Sequence, residues 1–202
     1  MKEEDERRYS GPATHRWFYM KEFLVECPKC GKYAFVKVDP PFSMDKGKLS
    51  CPHCSYSEKT SDRIRFKLTV KRNCDNCGKF FEKSLQDYKE KIDSIQLACP
   101  GCGIQRSYKP NIEEYKLLYE SRGDAVDPIF GLPLWLQASL KENLFWAYNK
   151  EHLNDIKNYV KAKLRERQTA NYTTMVEKLP GFIKDSKNRN LLLKIIDRLE
   201  RK

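Results

Sequence analysis

Eight cysteines fall into four CxxC pairs: CPKC from Cys27, CPHC from Cys51, CDNC from Cys74 and CPGC from Cys99. None is left over. Two residues between sulfurs let one tight turn aim both thiolates at a single ion, and two such turns complete a tetrahedron. Three of the pairs run directly into glycine, at Gly31, Gly78 and Gly103, where the turn can take a positive φ. Ser55 holds that place in the remaining pair. CPHC also admits a redox reading, with Cys51 as a low-pKa nucleophile and Cys54 resolving the mixed disulfide. That chemistry needs a helix N-terminus after the motif. The following residues, SYSEKTSDRIRFKLTVKR, read instead as a polar turn and a strand. Metal is the better reading. His53, between two ligands, reads as exposed, and His15 and His152 have no evident partner.

Twenty residues separate Cys30 from Cys51 and twenty-one separate Cys77 from Cys99, so each half holds two knuckles joined by a stretch of hairpin length. The halves repeat at an offset of 47 to 48 residues. Over roughly residues 23–110 the chain resembles the zinc-ribbon class, in which two CxxC knuckles hold one structural zinc. That resemblance implies one ion on Cys27, Cys30, Cys51 and Cys54, and a second on Cys74, Cys77, Cys99 and Cys102. Nineteen residues lie between Cys54 and Cys74, so spacing alone also allows a cross-braced pairing; the repeat favours pairing in series. CPGCG further resembles the knuckles of rubredoxin, where four thiolates hold iron, and CPHC matches the active-site motif of some thiol oxidants. The duplicated basic chain is more similar to ribbon modules, which favours two structural Zn2+ ions over iron. The string GLPLWLQ...LFWAYNKEHL looks distantly like tails of bacterial zinc-ribbon proteins, and no function follows from it.

The chain must position these turns with modest means. It has 202 residues, 40% hydrophobic and 33% charged, enough for one domain or two small ones, and no 18-residue apolar run that could span a bilayer. Its opening, MKEEDERRYSGPATHRW, lacks the apolar core of a secretory signal. The expectation is a reducing, cytoplasmic setting, where eight cysteines serve metal rather than disulfides. The formal charge of +11 points to an acidic partner, although eight thiolates and two dications would lower it to about +7. Phosphate loops, nucleophile elbows, HExxH and paired-carboxylate constellations are absent. The reading is therefore non-enzymatic.

In DRIRFKLTVKR, Ile64, Phe66, Leu68 and Val70 alternate with basic residues, the period of a strand with one buried face. Arg63, Arg65, Lys67, Lys71 and Arg72 form the candidate nucleic-acid-binding stripe, which could follow a phosphate backbone or simply be a solvated face. Tyr33, Phe35, Phe80 and Phe81 follow knuckles, where they could stack on bases or fill a small core.

After Asn111 the cysteines stop. NIEEYKLLYESRG reads as a short helix from Asn111 to Gly123, and LWLQASLKENLFWAYN as a hairpin carrying Trp135 and Trp146. Leu153, Ile156, Val160 and Leu164 mark one face of a helix, and Leu192, Ile195, Ile196 and Leu199 mark another. The expected class is α+β: a charged segment over 1–22, ribbons over 23–60 and 61–110, and a hairpin-plus-helix module over 111–202. The expected function is nucleic-acid binding through the basic and aromatic surface of the ribbons. The alternative is a protein-interaction adaptor, inhibitor or immunity-type protein with an acidic partner, acting through the C-terminal helices.

Overall fold

A computed structural model of the chain describes residues 8–38, 46–121, 124–165 and 169–202. The fold is α+β, built from small antiparallel sheets and short helices. Its contacts divide the chain into two compact units, residues 1–59 with 119–202, and residues 60–118.

In the first unit, β1 (Glu22–Glu26), β2 (Tyr33–Val38), β3 (Gly47–Ser50) and β4 (Ser57–Lys59) form an antiparallel sheet in chain order. A 3₁₀ turn, Arg16–Lys21, leads into β1 and buries Tyr19. Beyond residue 119 come a hairpin, β10 (Leu136–Leu140) and β11 (Asn143–Ala147), then the helices α1 (Lys150–Lys161), α2 (Gly181–Lys184) and α3 (Arg189–Glu200). Residues after 119 pack on the first four-stranded sheet, in the same compact unit. Leu24 N–H donates to the Tyr148 carbonyl at 2.7 Å, Glu26 N–H to Pro133 at 2.8 Å, and Trp135 N–H to Leu24 at 2.9 Å. These bonds satisfy the open edge of β1. Phe23, Val25, Val36 and Leu49 from this sheet share one buried cluster with Leu134, Phe145, Ile156 and Ile196. Apolar burial on that scale is the main driving force for folding this unit.

Local chemistry fixes the joints. Asn149 caps α1, its Oδ1 accepting from His152 N–H at 2.9 Å, while its Nδ2 donates to the Tyr19 and Glu22 carbonyls, both at 2.8 Å. The buried Asp127 carboxylate organises the DPIFGLP loop by accepting from the amides of Ile129, Phe130 and Leu132 at 2.8 to 2.9 Å. Lys157 bridges α1 to Asp197 (2.8 Å) and Glu200 (2.5 Å) of α3. Helix α1 is shorter than its periodicity suggests. It stops at Lys161, where Arg165 folds back to donate to the carbonyls of Val160, Ala162 and Lys184, so Leu164 is exposed instead of joining the buried face.

In the second unit, β5 (Ile64–Asn73) is the centre of a three-stranded sheet, flanked by β6 (Phe80–Tyr88) and β9 (Asn111–Lys116), and β7 (Ile95–Ala98) pairs with β8 (Gln105–Tyr108). Its second knuckle pair is backed by a small core of Val70, Cys74, Phe81, Cys99 and Tyr108. The helix expected from Asn111 is thus a strand. Register pairs Leu68 with Ile112 and Lys67 with Glu113, and the unpaired edge of β5 captures a segment whose composition alone favours a helix. Gly123, where that helix was expected to end, lies outside the described residues. No helix is long and apolar enough to cross a membrane among the described residues.

Candidate metal centres

Each CxxC pair folds as the same local turn. Gly31, Gly78 and Gly103 donate back to the carbonyls of Cys27, Cys74 and Cys99 at 2.8 to 3.0 Å, and all three take φ between 67° and 75°. Ser55 adopts the same left-handed backbone, φ 56°, without being glycine. The first cysteine of each knuckle closes a second bond to a carbonyl five residues on: Cys27 to Lys32, Cys51 to Tyr56, Cys74 to Lys79 and Cys99 to Ile104. Amides also turn toward sulfur, Lys29 N–H to Cys27 Sγ at 3.4 Å and Gly101 N–H to Cys99 Sγ at 3.3 Å.

Two such turns meet in each unit. Cys27, Cys30, Cys51 and Cys54 form one group, and Cys74, Cys77, Cys99 and Cys102 the other, with the four sulfurs of each within 4.8 Å of one another. The knuckles pair in series, not crosswise. Sulfurs of facing knuckles stand 3.7 Å apart for Cys27–Cys54, 3.6 Å for Cys30–Cys51, 3.8 Å for Cys74–Cys102 and 3.7 Å for Cys77–Cys99. A tetrahedron with metal–sulfur bonds of about 2.3 Å has edges of about 3.8 Å, whereas a disulfide would bring sulfurs to about 2.05 Å. The donor sets therefore fit a metal ion, zinc being typical of four thiolates. In each set the first cysteine of both knuckles is buried and the second exposed, so each site sits at a surface with its base in the core.

The electrostatics point the same way. The Cys77 and Asn76 amides draw the Cys74 thiol down to about 6. At Cys77 the Lys79 amide also pulls downward, but burial and the crowding of Cys99, Cys102 and Cys74 outweigh it and push the thiol up to about 11. Four sulfurs this close cannot all ionise unless a cation balances them. Cys51 lacks the context for redox work, since β4 rather than a helix follows its knuckle. His53 is exposed, as its position suggests, with its ring edge-on to Tyr33 at 4.4 Å.

The basic stripe is engaged within its own unit. Arg63 Nε donates to the Leu117 carbonyl at 2.7 Å, and Arg65 Nη1 to the carbonyls of Asp62 and Ile64. Lys67 faces Glu113 at 3.7 Å, Lys71 faces Glu82 at 3.1 Å, and Arg72 pairs with Asp75 at 2.7 Å while lying over Tyr108. Both neighbours of β5 contribute acids across the sheet. The face is of mixed charge, which the β5 sequence alone does not disclose.

The post-knuckle aromatics divide by unit. Tyr33 and Phe35 are half-buried against the first core, with the Tyr33 ring 6.2 Å from Trp135, and Phe81 is buried in the second core. Phe80 stays 55% exposed. The repeat offset makes Phe80 the counterpart of Tyr33 and Ile104 the counterpart of Tyr56. Tyr56 is half-buried, its hydroxyl 3.2 Å from that of Tyr119, whereas Ile104 is 39% exposed. Sequence reasoning missed Ile104; the signal was its 48-residue offset from Tyr56.

Comparison of the chain with protein-family models, with curated proteins and with solved structures returned no match.

Proposed function

We propose that the protein is a non-enzymatic adaptor, held in shape by two structural zinc ions, whose second ribbon docks on a partner protein. The observation that carries this is the asymmetry between equivalent positions. Tyr33 and Tyr56 pack against the C-terminal residues of their own unit, while Phe80 and Ile104 are left in solvent. An exposed aromatic and an exposed aliphatic, each directly following a knuckle of the same four-cysteine cluster, are suited to serve as interface anchors. Lys79, exposed and adjacent to Phe80 in sequence, favours an acidic group on the partner. Zinc fits better than iron as a resident ion because the chain resembles paired ribbons rather than an electron carrier. Four thiolates leave the ion no open position for water, so it shapes the protein and does not catalyse.

One observation favours nucleic acid as a second reading: Phe80 is a solvent-facing ring that follows Lys79, a combination able to stack on an unpaired base. The cross-strand acids beside Lys67 and Lys71 count against it. A photo-crosslinking amino acid at position 80 of the zinc-loaded full chain separates the two. The adaptor reading expects a protein adduct that Ile104→Asp abolishes. An adduct to nucleic acid alone would replace it with the second reading, and the absence of any adduct would reject both.

A further inference from the structure

The first unit contains a cavity of about 610 Å³ that neither the metal centres nor the proposed docking face uses. Its wall is apolar and aromatic, with Met20, Leu144, Trp146, Met175 and Phe182 contributing. The volume falls within the range of pockets that enclose small organic ligands. Charge on the lining is of one sign. Arg16 and Lys178, both exposed, belong to it, and no Asp or Glu does among the described residues.

His152 supplies the polar group. It is 2% exposed, lies in the first turn of α1 and lines the cavity. Tyr148 N–H donates to its Nδ1 at 3.2 Å, which places the ring proton on Nε2. That Nε2 is buried and has no hydrogen-bond partner. A buried donor without an acceptor is costly and uncommon, and the ring that carries it belongs to the cavity wall, which suggests where an acceptor would come from. Burial, with the positive charge of Arg16 adding to it, pushes the imidazole down to about 4, so the ring stays neutral and keeps Nε2–H as a donor at physiological pH. Met20 and Met175 are unbranched thioethers that change rotamer at little cost, which lets a ligand reach the ring edge.

We propose that this cavity binds a planar aromatic carboxylate: one carboxylate oxygen accepts from His152 Nε2–H, Arg16 and Lys178 balance the charge, and the rings of Trp146 and Phe182 with the methionine side chains hold the aromatic body. The cations on the lining favour an anion, and the walls a flat apolar body. A cationic or strongly polar ligand would meet neither.

The probe is 2-naphthoate, titrated calorimetrically into the zinc-loaded full chain, with 2-naphthalenemethanol as its uncharged counterpart. Saturable binding of naphthoate is expected, with the alcohol weaker by about tenfold, the size of one hydrogen bond to a charged group. His152→Asn keeps an acceptor for Tyr148 N–H but removes the Nε2 donor, and should weaken naphthoate by about tenfold or more. If that variant fails to fold, Arg16→Glu at the exposed edge remains informative and should weaken naphthoate but not the alcohol. No binding at millimolar naphthoate would overturn the proposal. So would equal affinity for acid and alcohol, or unchanged affinity in both variants.

Discussion

The position after the second cysteine of each knuckle offers a reciprocal test of how backbone strain is passed to the metal. Gly31, Gly78 and Gly103 have φ of 67°, 72° and 75°, and Ser55 has 56°. A side chain in left-handed backbone costs about 1 kcal/mol or more. Space is not the issue: a Cβ added at Gly78 or Gly103 meets nothing within 4 Å, and at Gly31 it meets only Glu26 Oε1 at 3.6 Å. Gly103→Ala should therefore carry the conformational cost alone. Where folding of the ribbon and ion binding are linked, about 1 kcal/mol appears as about fivefold weaker zinc binding at the second site. Ser55→Gly runs the other way. Part of its gain is cancelled by the greater freedom of glycine in the unfolded chain, leaving about 0.5 kcal/mol, or about twofold tighter binding at the first site. Competition against a chromophoric chelator reads both. Changes of the same sign in the two variants, or no change in either, would refute the reasoning.

Three further outcomes follow from the packing. The acid limb of stability should contain a contribution from His152, whose folded pKa of about 4 lies below the unfolded value of about 6.5: up to about 3 kcal/mol is present above pH 6.5 and lost as pH falls through 4. A histidine Hε1 resonance titrating well below 5 in the folded chain would support this, and three histidines all titrating near 6.5 would contradict it. Asp127→Ala leaves three buried amides without their acceptor and should destabilise the first unit by about 3 kcal/mol or more, read as a lower urea midpoint; a midpoint equal to that of wild type would show that the carboxylate does not organise its loop. Chelation should act unequally on the two units. Residues 60–118, with little core behind their site, should lose amide protection, while residues 1–59 with 119–202 retain theirs through the shared core; equal loss in both would contradict it.

The two four-cysteine clusters were legible because a knuckle is local: two cysteines three apart, followed by glycine in three of the four, define its turn, and the 47-to-48-residue repeat indicates which turns pair. Alternation in Ile64–Val70 and the periodicity of Leu153–Val160 and Leu192–Leu199 likewise identified β5, α1 and α3. The remainder depends on long-range register. β9 is a strand only because β5 has an edge to fill, and the acids that neutralise Lys67 and Lys71 arrive on β9 and β6. The attachment of Pro133–Trp135 and Tyr148 to β1 uses backbone groups, which every residue except proline carries in full, so no side-chain pattern announces it. His152 read as a histidine without a partner, whereas its Nδ1 accepts from the Tyr148 amide, its ring stacks on Tyr19 and only Nε2 is unpaired. The cavity beside it needs four separate stretches of chain.

The most direct measurement is native mass spectrometry of the full chain beside a Cys27→Ser, Cys30→Ser double variant. Two structural zinc sites paired in series require two zinc ions in the wild type and one in the variant, retained by Cys74, Cys77, Cys99 and Cys102. Iron in place of zinc, fewer than two ions in the wild type, or loss of both ions from the variant would contradict the account.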